Sequence, residues 1–240
     1  MTNSDKIIIA LDTYSLNKAK RLVRILYPKV KFFKIGLELV NTGQAPELIK
    51  YINKLGGKVF YDTKLNDIAN TVEKTAKVIS KLGVWCWTIH ASAGEEAIGA
   101  AVKNRGRSKI FGVTVLTSFG DSESKIIFGT SLNKKVLRFV DMLLKKGVDG
   151  IVCSAAEARL IRRFYARGGS VFDRKNLKII TPGIRPVWAD KNEQNRIATP
   201  IEAIKSGADY LVIGRPITNP PRHVGSALRA LDLILKEISG

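Results

Sequence analysis

The sequence predicts an α/β fold, a (β/α)8 TIM barrel built as one domain over residues 1–240, on three observations. Eight short apolar, β-branched runs recur about one βα unit apart, at 7–12, 30–36, 58–62, 84–90, 110–116, 149–154, 177–181 and 210–214. The segments between them carry helical periodicity, and strict alternation of strand and helix calls for parallel strands with right-handed crossovers. Finally, 240 residues match the length that eight such units occupy in a closed barrel, roughly 250. A doubly wound open sheet also alternates strand and helix, but no Gly-x-Gly-x-x-Gly follows the first run. No linker or low-complexity stretch divides the chain.

Taken in order, the first helix spans 16–26 behind Ser15, a residue suited to an N-cap, and the second covers 45–55 after Thr42-Gly43. The third strand leads into Tyr61-Asp62-Thr63-Lys64-Leu65-Asn66-Asp67-Ile68. Alternation puts Asp62 and Lys64 on one side of the strand. A buried acid and base are costly to desolvate unless they pair. Asp67 falls in the turn before a helix that begins near Asn70. On this segment alone, a strand-end salt bridge and a helix-capping carboxylate account for all three charges. Trp85 and Trp87 alternate on the fourth strand, so at least one should pack between barrel and helices. Thr130-Ser131-Leu132 reads as a helix start, and Glu157 as a structural pair or cap beside the sixth strand. His223 reads as a surface or helix-start histidine.

Composition narrows the function. Hydrophobic residues form 45% of the chain, ample for a large core. Cys86 and Cys153 lie in apolar runs without metal-ligand spacing, which predicts buried free thiols in a cytoplasmic protein. The polar start, Met1 to Lys6, runs directly into a strand, so no signal peptide is expected. No apolar stretch reaches the ~20 residues of a membrane span. Forty Lys and Arg against 21 Asp and Glu give a formal charge of +19, which points to an anionic partner, either a phosphorylated small molecule or nucleic acid. The basic residues are scattered along helices, as at Lys18, Lys20, Arg21 and Arg24, and at Lys134, Lys135 and Arg138. They form no run interleaved with aromatics, so a solvated basic surface is expected, with no specific nucleic-acid site and no membrane contact.

In a barrel of this kind the chemistry lies at the C-terminal ends of the strands. Those ends read Asp12, Lys34, Asp62 with Lys64, His90, Thr117-Ser118, Ser154, Gly183 with Arg185, and Gly214-Arg215. A structural core needs no such row of polar residues. Thr181-Pro182-Gly183-Ile184-Arg185 and Ile213-Gly214-Arg215-Pro216 close the seventh and eighth strands. Glycine lets backbone N–H groups approach a phosphate and arginine adds charge-assisted bonds. The loops after strands seven and eight are where such barrels hold phosphate. Between Arg185 and Thr199 the connection is long and polar, a candidate lid, with Gln194 and Arg196 expected to reach inward.

These residues resemble the orotidine 5′-phosphate decarboxylase family, in its bacterial form, along nearly the whole chain. The resemblance rests on Ala10-Leu11-Asp12, Phe33-Lys34-Ile35-Gly36, Asp62-x-Lys64-x-x-Asp67-Ile68, Thr88-Ile89-His90-Ala91, Val113 to Ser118, Val152-Cys153-Ser154-Ala155 and the two arginine turns. It implies conversion of orotidine 5′-phosphate to uridine 5′-phosphate (UMP) and carbon dioxide in pyrimidine synthesis, with no metal and no organic cofactor. It further implies that Lys64 protonates C6 of the pyrimidine, that Asp62 lies by the substrate carboxylate, and that Lys34 contacts the ribose and orders the charges. Asp67 would act in trans in a homodimer, completing a Lys-Asp-Lys-Asp network, with Ile68 and Thr71 beside it. Asp12 would bind the ribose and Thr117 the pyrimidine edge, with Ser118 among the substrate-binding residues. Pro182, Gly183, Arg185, Gln194, Gly214 and Arg215 would serve the phosphate and lid.

Two departures stand out: Ala69 replaces the family's usual Pro or Gly, and the loop His90-Ala91-Ser92-Ala93-Gly94 differs slightly from the common version. His90 is expected to be structural. The alternatives are a magnesium-dependent 3-keto-gulonate-phosphate decarboxylase or hexulose-phosphate synthase on the same barrel, or a non-enzymatic nucleotide-binding barrel.

Overall fold

Eight strands close into a parallel barrel in sequence order: β1 (Ile7–Ala10), β2 (Phe32–Gly36), β3 (Lys58–Leu65), β4 (Cys86–His90), β5 (Lys109–Val113), β6 (Gly150–Val152), β7 (Lys178–Thr181) and β8 (Tyr210–Ile213). β8 pairs back onto β1, with Ile8 opposite Val212. The computed structural model describes residues 2–166, 177–189 and 197–239. Helices α1 (Leu16–Leu26), α2 (Leu37–Asn41), α3 (Ala45–Lys54), α4 (Ala69–Ile79), α5 (Gly94–Asn104), α6 (Asp121–Phe128), α7 (Leu132–Lys145), α8 (Ala155–Ala166), α9 (Pro200–Lys205), α10 (Arg215–Thr218) and α11 (Ala227–Glu237) lie between and after the strands.

Each expected run coincides with one strand over most of the strand's length, because a strand covered on both faces must be apolar throughout. Ile7, Ile8 and Ile9 are all fully buried. Alternation divides them: Ile7 and Ile9 join the layer under the helices, and Ile8 faces the barrel interior. The interior cluster also holds Phe32, Phe60, Cys86, Phe111, Val152, Ile180 and Val212. At the end where the strands begin, Phe32, Trp85, Phe111 and Tyr210 close the barrel as an aromatic plug, with ring centroids 4.6 Å apart for Phe32–Trp85 and 5.1 Å for Trp85–Tyr210. The plug leaves the opposite end of the interior for polar groups. Gly150 is needed beside it, since a Cβ there would come within 2.4 Å of both the Lys178 carbonyl and the Phe111 ring.

Several local expectations hold. Ser15 caps α1 by accepting the Lys18 N–H, and Ser131 stands at the N-cap of α7. Trp87 packs under the helices while Trp85 faces the interior. The Glu157 carboxylate accepts the Ser154 N–H, and His223 is exposed in a turn. Both cysteines are buried free thiols. Among the described residues no helix is long and apolar enough to cross a membrane.

Strand ends need correction. β1, β5, β6 and β8 stop before 12, 116, 154 and 214, because the chain turns onto the rim there, as in the Thr13 N–H to Leu11 carbonyl turn. The third strand was expected to end at 62 but runs on to Leu65. The cause is a bulge: Tyr61 pairs with Trp87 and Leu65 with Ile89, so β3 carries three residues opposite the single Thr88 of β4.

Candidate active site

The open end of the barrel gathers charge from its first three strands. Lys34 follows Phe32 on β2 with period two and so points inside, and Gly36 keeps its head group's place open. A Cβ at Gly36 would lie 2.9 Å from Lys34 Nζ and 3.5 Å from Asp12 Oδ1. Lys34 Nζ donates to Asp12 Oδ1 at 2.8 Å and lies 3.8 Å from Asp62 Oδ2. Lys64 Nζ donates to that same Oδ2 at 2.7 Å. The order in space is therefore Asp12, Lys34, Asp62, Lys64. Asp62 is the most enclosed member, its side chain 9% exposed, and Asp12 is more than half exposed. The two lysines and the Thr88 hydroxyl take the place of water around this enclosed carboxylate.

Lys64 is also the one non-glycine residue with positive φ, +48°, among the described residues. A residue with a Cβ enters this region only where its surroundings hold it there, and such strain concentrates at functional sites. His90, the last residue of β4, stands by this pair. Burial first, and then the Lys64 ammonium, lower its pKa, with Asp62 acting the other way. It therefore favours the neutral imidazole.

A cavity of about 270 Å³ runs from these charges to the loops after β7 and β8. Its walls combine Ala10, Phe60, Val152 and Val212 with Asp12, Lys34, Asp62, Lys64 and Thr117, and the loops after β7 and β8 add Pro182, Gly183, Arg185, Gly214 and Arg215. Gly183 has φ +78°, which turns the chain over the mouth. Arg185 is 7% exposed; its Nη1 donates to the Ile184 carbonyl, and its buried Nε has no partner among the described residues. Burial, and then the neighbouring Arg215, lower its pKa. Two neighbouring guanidinium groups lining one cavity, one with a buried donor unused, form a site that an anion would complete. A second cavity of about 310 Å³ shares Arg185 and Arg215 and adds Arg222, extending the same cationic end.

Not every expected residue reaches this cavity. Asp67 and Ile68 are exposed at the rim, with Asp67 Oδ1 accepting the Ile68 N–H at 2.7 Å. Neither they, nor Thr71, nor Ser118 lines the cavity of their own chain. Gln194 and Arg196 lie outside the described residues. Among the described residues no three or more His, Cys, Asp or Glu cluster as a metal site.

A family model described as orotidine 5′-phosphate decarboxylase / HUMPS family matches residues 5–230. The chain belongs to the orotidine 5′-phosphate decarboxylase / HUMPS family. Among its curated relatives, the orotidine 5′-phosphate decarboxylase of Syntrophomonas wolfei is 39% identical over 243 residues, covering 96% of this chain and 98% of the relative. That of Vibrio cholerae is 39% identical over 222 residues, covering 90% and 92%. Among solved structures, orotidine 5′-phosphate decarboxylase from Lactobacillus acidophilus superposes with a TM-score of 0.76 at 30% identity, covering 98% of this chain and 100% of that one.

For this chain of the decarboxylase / HUMPS family, strand-end reading missed two kinds of site residue. The apolar walls Ala10, Phe60, Val152 and Val212 could have been found from period-two alternation, since each shares the inward face with the polar residues above it. Thr88 shares the inward face too, two residues after Cys86, but its partners could not be read from alternation. Its hydroxyl donates to Asp62 Oδ1 at 3.0 Å, a contact that depends on the β3–β4 register.

Proposed function

We propose that this chain decarboxylates orotidine 5′-phosphate to UMP and carbon dioxide in de novo pyrimidine synthesis, without a cofactor. The observation that carries the reading is one cavity with an alternating Asp12–Lys34–Asp62–Lys64 array at one end and two arginines with an unused buried donor at the other. Those ends suit the two anionic ends of the substrate, the carboxylate on C6 and the 5′-phosphate, and the apolar walls between them suit a pyrimidine.

Loss of carbon dioxide breaks the bond from C6 to the carboxylate and leaves its electron pair on C6, in an orbital the ring cannot delocalise. The charge must then be stabilised by fixed groups placed where it develops. Lys64 Nζ is the cation for that carbon and supplies the proton that fills the orbital, becoming a neutral amine. Asp62 repels the substrate carboxylate, and that repulsion falls as carbon dioxide leaves. Lys34 and Asp12 take the ribose hydroxyls, and Thr117 the pyrimidine edge. Arg185, Arg215, Gly183 and Gly214 take the phosphate with Gln194, beside Pro182 in the cavity wall, so that binding away from C6 holds the reacting end in place.

The site is completed by a second copy of the chain. Asp67, exposed beside the 70%-exposed Ile68, serves the partner's cavity, with Ile68 and Thr71 packed along it. The magnesium-dependent sugar-phosphate alternative is less well supported, because Asp12 and Asp62 already face lysine ammonium groups, and an ammonium cannot serve as a ligand. The test is the near-ultraviolet absorbance of orotidine 5′-phosphate with enzyme and chelator present. A fall in absorbance is expected; no fall, or a fall only with added magnesium, would overturn the reading.

A further inference from the structure

Asp62 uses only one carboxylate oxygen, Oδ2, for its lysines. The other is held by Thr88, which is fully buried on β4 and faces the bulged residues of β3. Its Oγ1 lies 3.0 Å from Asp62 Oδ1 and 2.8 Å from the Lys64 backbone nitrogen. The direction of both bonds follows from valence. An amide N–H can only donate and an ionised carboxylate can only accept, so the single hydroxyl proton goes to Asp62 and a lone pair receives Lys64.

Each partner has a reason to need this hydroxyl. The bulge sets three residues of β3 against one of β4, and the Lys64 N–H is met by a side-chain oxygen, a bond that accompanies its left-handed backbone. The Asp62 carboxylate could otherwise rotate about its terminal bond, a broad and soft torsion. With Oδ1 tied, Oδ2 is left facing both ammonium groups. Threonine suits the task because its branched Cβ restricts χ1 and so fixes the hydroxyl direction.

We infer that Thr88 is a positioning residue for the decarboxylation, its one hydroxyl setting both the Asp62 carboxylate and the backbone that carries Lys64. The inference rests on the function proposed above. It predicts that Thr88 acts on the chemical step and leaves substrate binding nearly untouched, since the phosphate contacts lie at the other end of the cavity.

The full chain carrying Thr88→Val, which keeps the shape and removes the hydroxyl, is compared with Thr88→Ser and the wild type in steady-state turnover of orotidine 5′-phosphate. Val is expected to lower kcat by ~10²-fold, the scale of a misplaced catalytic group, with KM near the wild type, and Ser to restore most of the loss. Wild-type kcat in the Val variant, a loss confined to KM, or equal losses in Val and Ser would overturn the role. If Val prevents folding, Thr88→Ala takes its place with the same expectations. A second readout needs no substrate: the Lys64 amide proton exchanges slowly in wild type and Ser and faster in Val or Ala. Equal protection in all of them would overturn the inference, whereas a wild type that leaves orotidine 5′-phosphate untouched would overturn the decarboxylase reading alone.

Discussion

Lys64 Nζ meets Asp62 Oδ2 at 2.7 Å, although the two residues belong to one strand, and the same oxygen lies 3.8 Å from Lys34 Nζ. One enclosed carboxylate thus separates two ammonium groups that would repel each other without it. The salt bridge expected at the strand end is present, and it stands inside the cavity where chemistry is proposed.

Lys64→Ala should leave the fold intact, because the side chain is a third exposed and its loss opens no core cavity. Turnover should be nearly abolished, since a positioned general acid alone contributes ~10²–10⁴-fold and the cation at C6 is lost with it. Circular dichroism and turnover of orotidine 5′-phosphate check the two halves. A folded variant keeping more than a small fraction of activity would remove Lys64 from its role.

Asp67 supports a different experiment. It does not line its own chain's cavity, and in the shared site proposed above an Asp67→Asn chain and a Lys64→Ala chain each lack a different half. Mixed dimers of the two should regain part of the activity that neither homodimer has. Subunit exchange, shown by differently tagged chains, without any recovery would place Asp67 outside the partner's site.

Arg215→Ala tests the phosphate end. A hydrogen bond to a charged group is worth about 1.5–3 kcal/mol, so kcat/KM for orotidine 5′-phosphate should fall roughly 10- to 100-fold. The same variant should act on orotidine without its phosphate as the wild type does. A parallel loss on both substrates would mean that Arg215 supports the fold rather than the phosphate.

His90 predicts a pH dependence of stability. Its folded pKa is lowered, by burial and then by Lys64, so the folded chain prefers the neutral imidazole while the unfolded chain protonates near ~6.5. This contribution is complete above that value and is lost as pH falls through it towards the folded pKa. Denaturation midpoints measured between about pH 7.5 and 5.5 should therefore fall more in the wild type than in His90→Gln. Identical slopes would show that His90 takes up its proton equally in both states.

Most of the architecture could be read locally. Strands buried on both faces must be apolar runs, and helices between barrel and solvent must be amphipathic, so eight units were visible without any contact being known. Ser15 marked a helix start, because its side chain caps α1 within one turn, and Ser131 marked another by its place at the N-cap of α7. The charged strand ends were visible for a related reason: a barrel tolerates Lys34, Asp62 and Lys64 only at its mouth.

What the sequence determined by itself is therefore the barrel, the end of it that carries charge, and the types of group gathered there. The tertiary structure alone decided how Asp62 and Lys64 meet. β3 could be read as a strand ending at 62, and only its pairing with β4 revealed the bulge, the left-handed Lys64 and the Thr88 hydroxyl opposite them. Periodicity is a property of one segment and survives in the sequence. Register is a relation between two segments more than 20 residues apart, fixed by packing across the whole barrel, as the 24-residue separation of Lys64 and Thr88 illustrates.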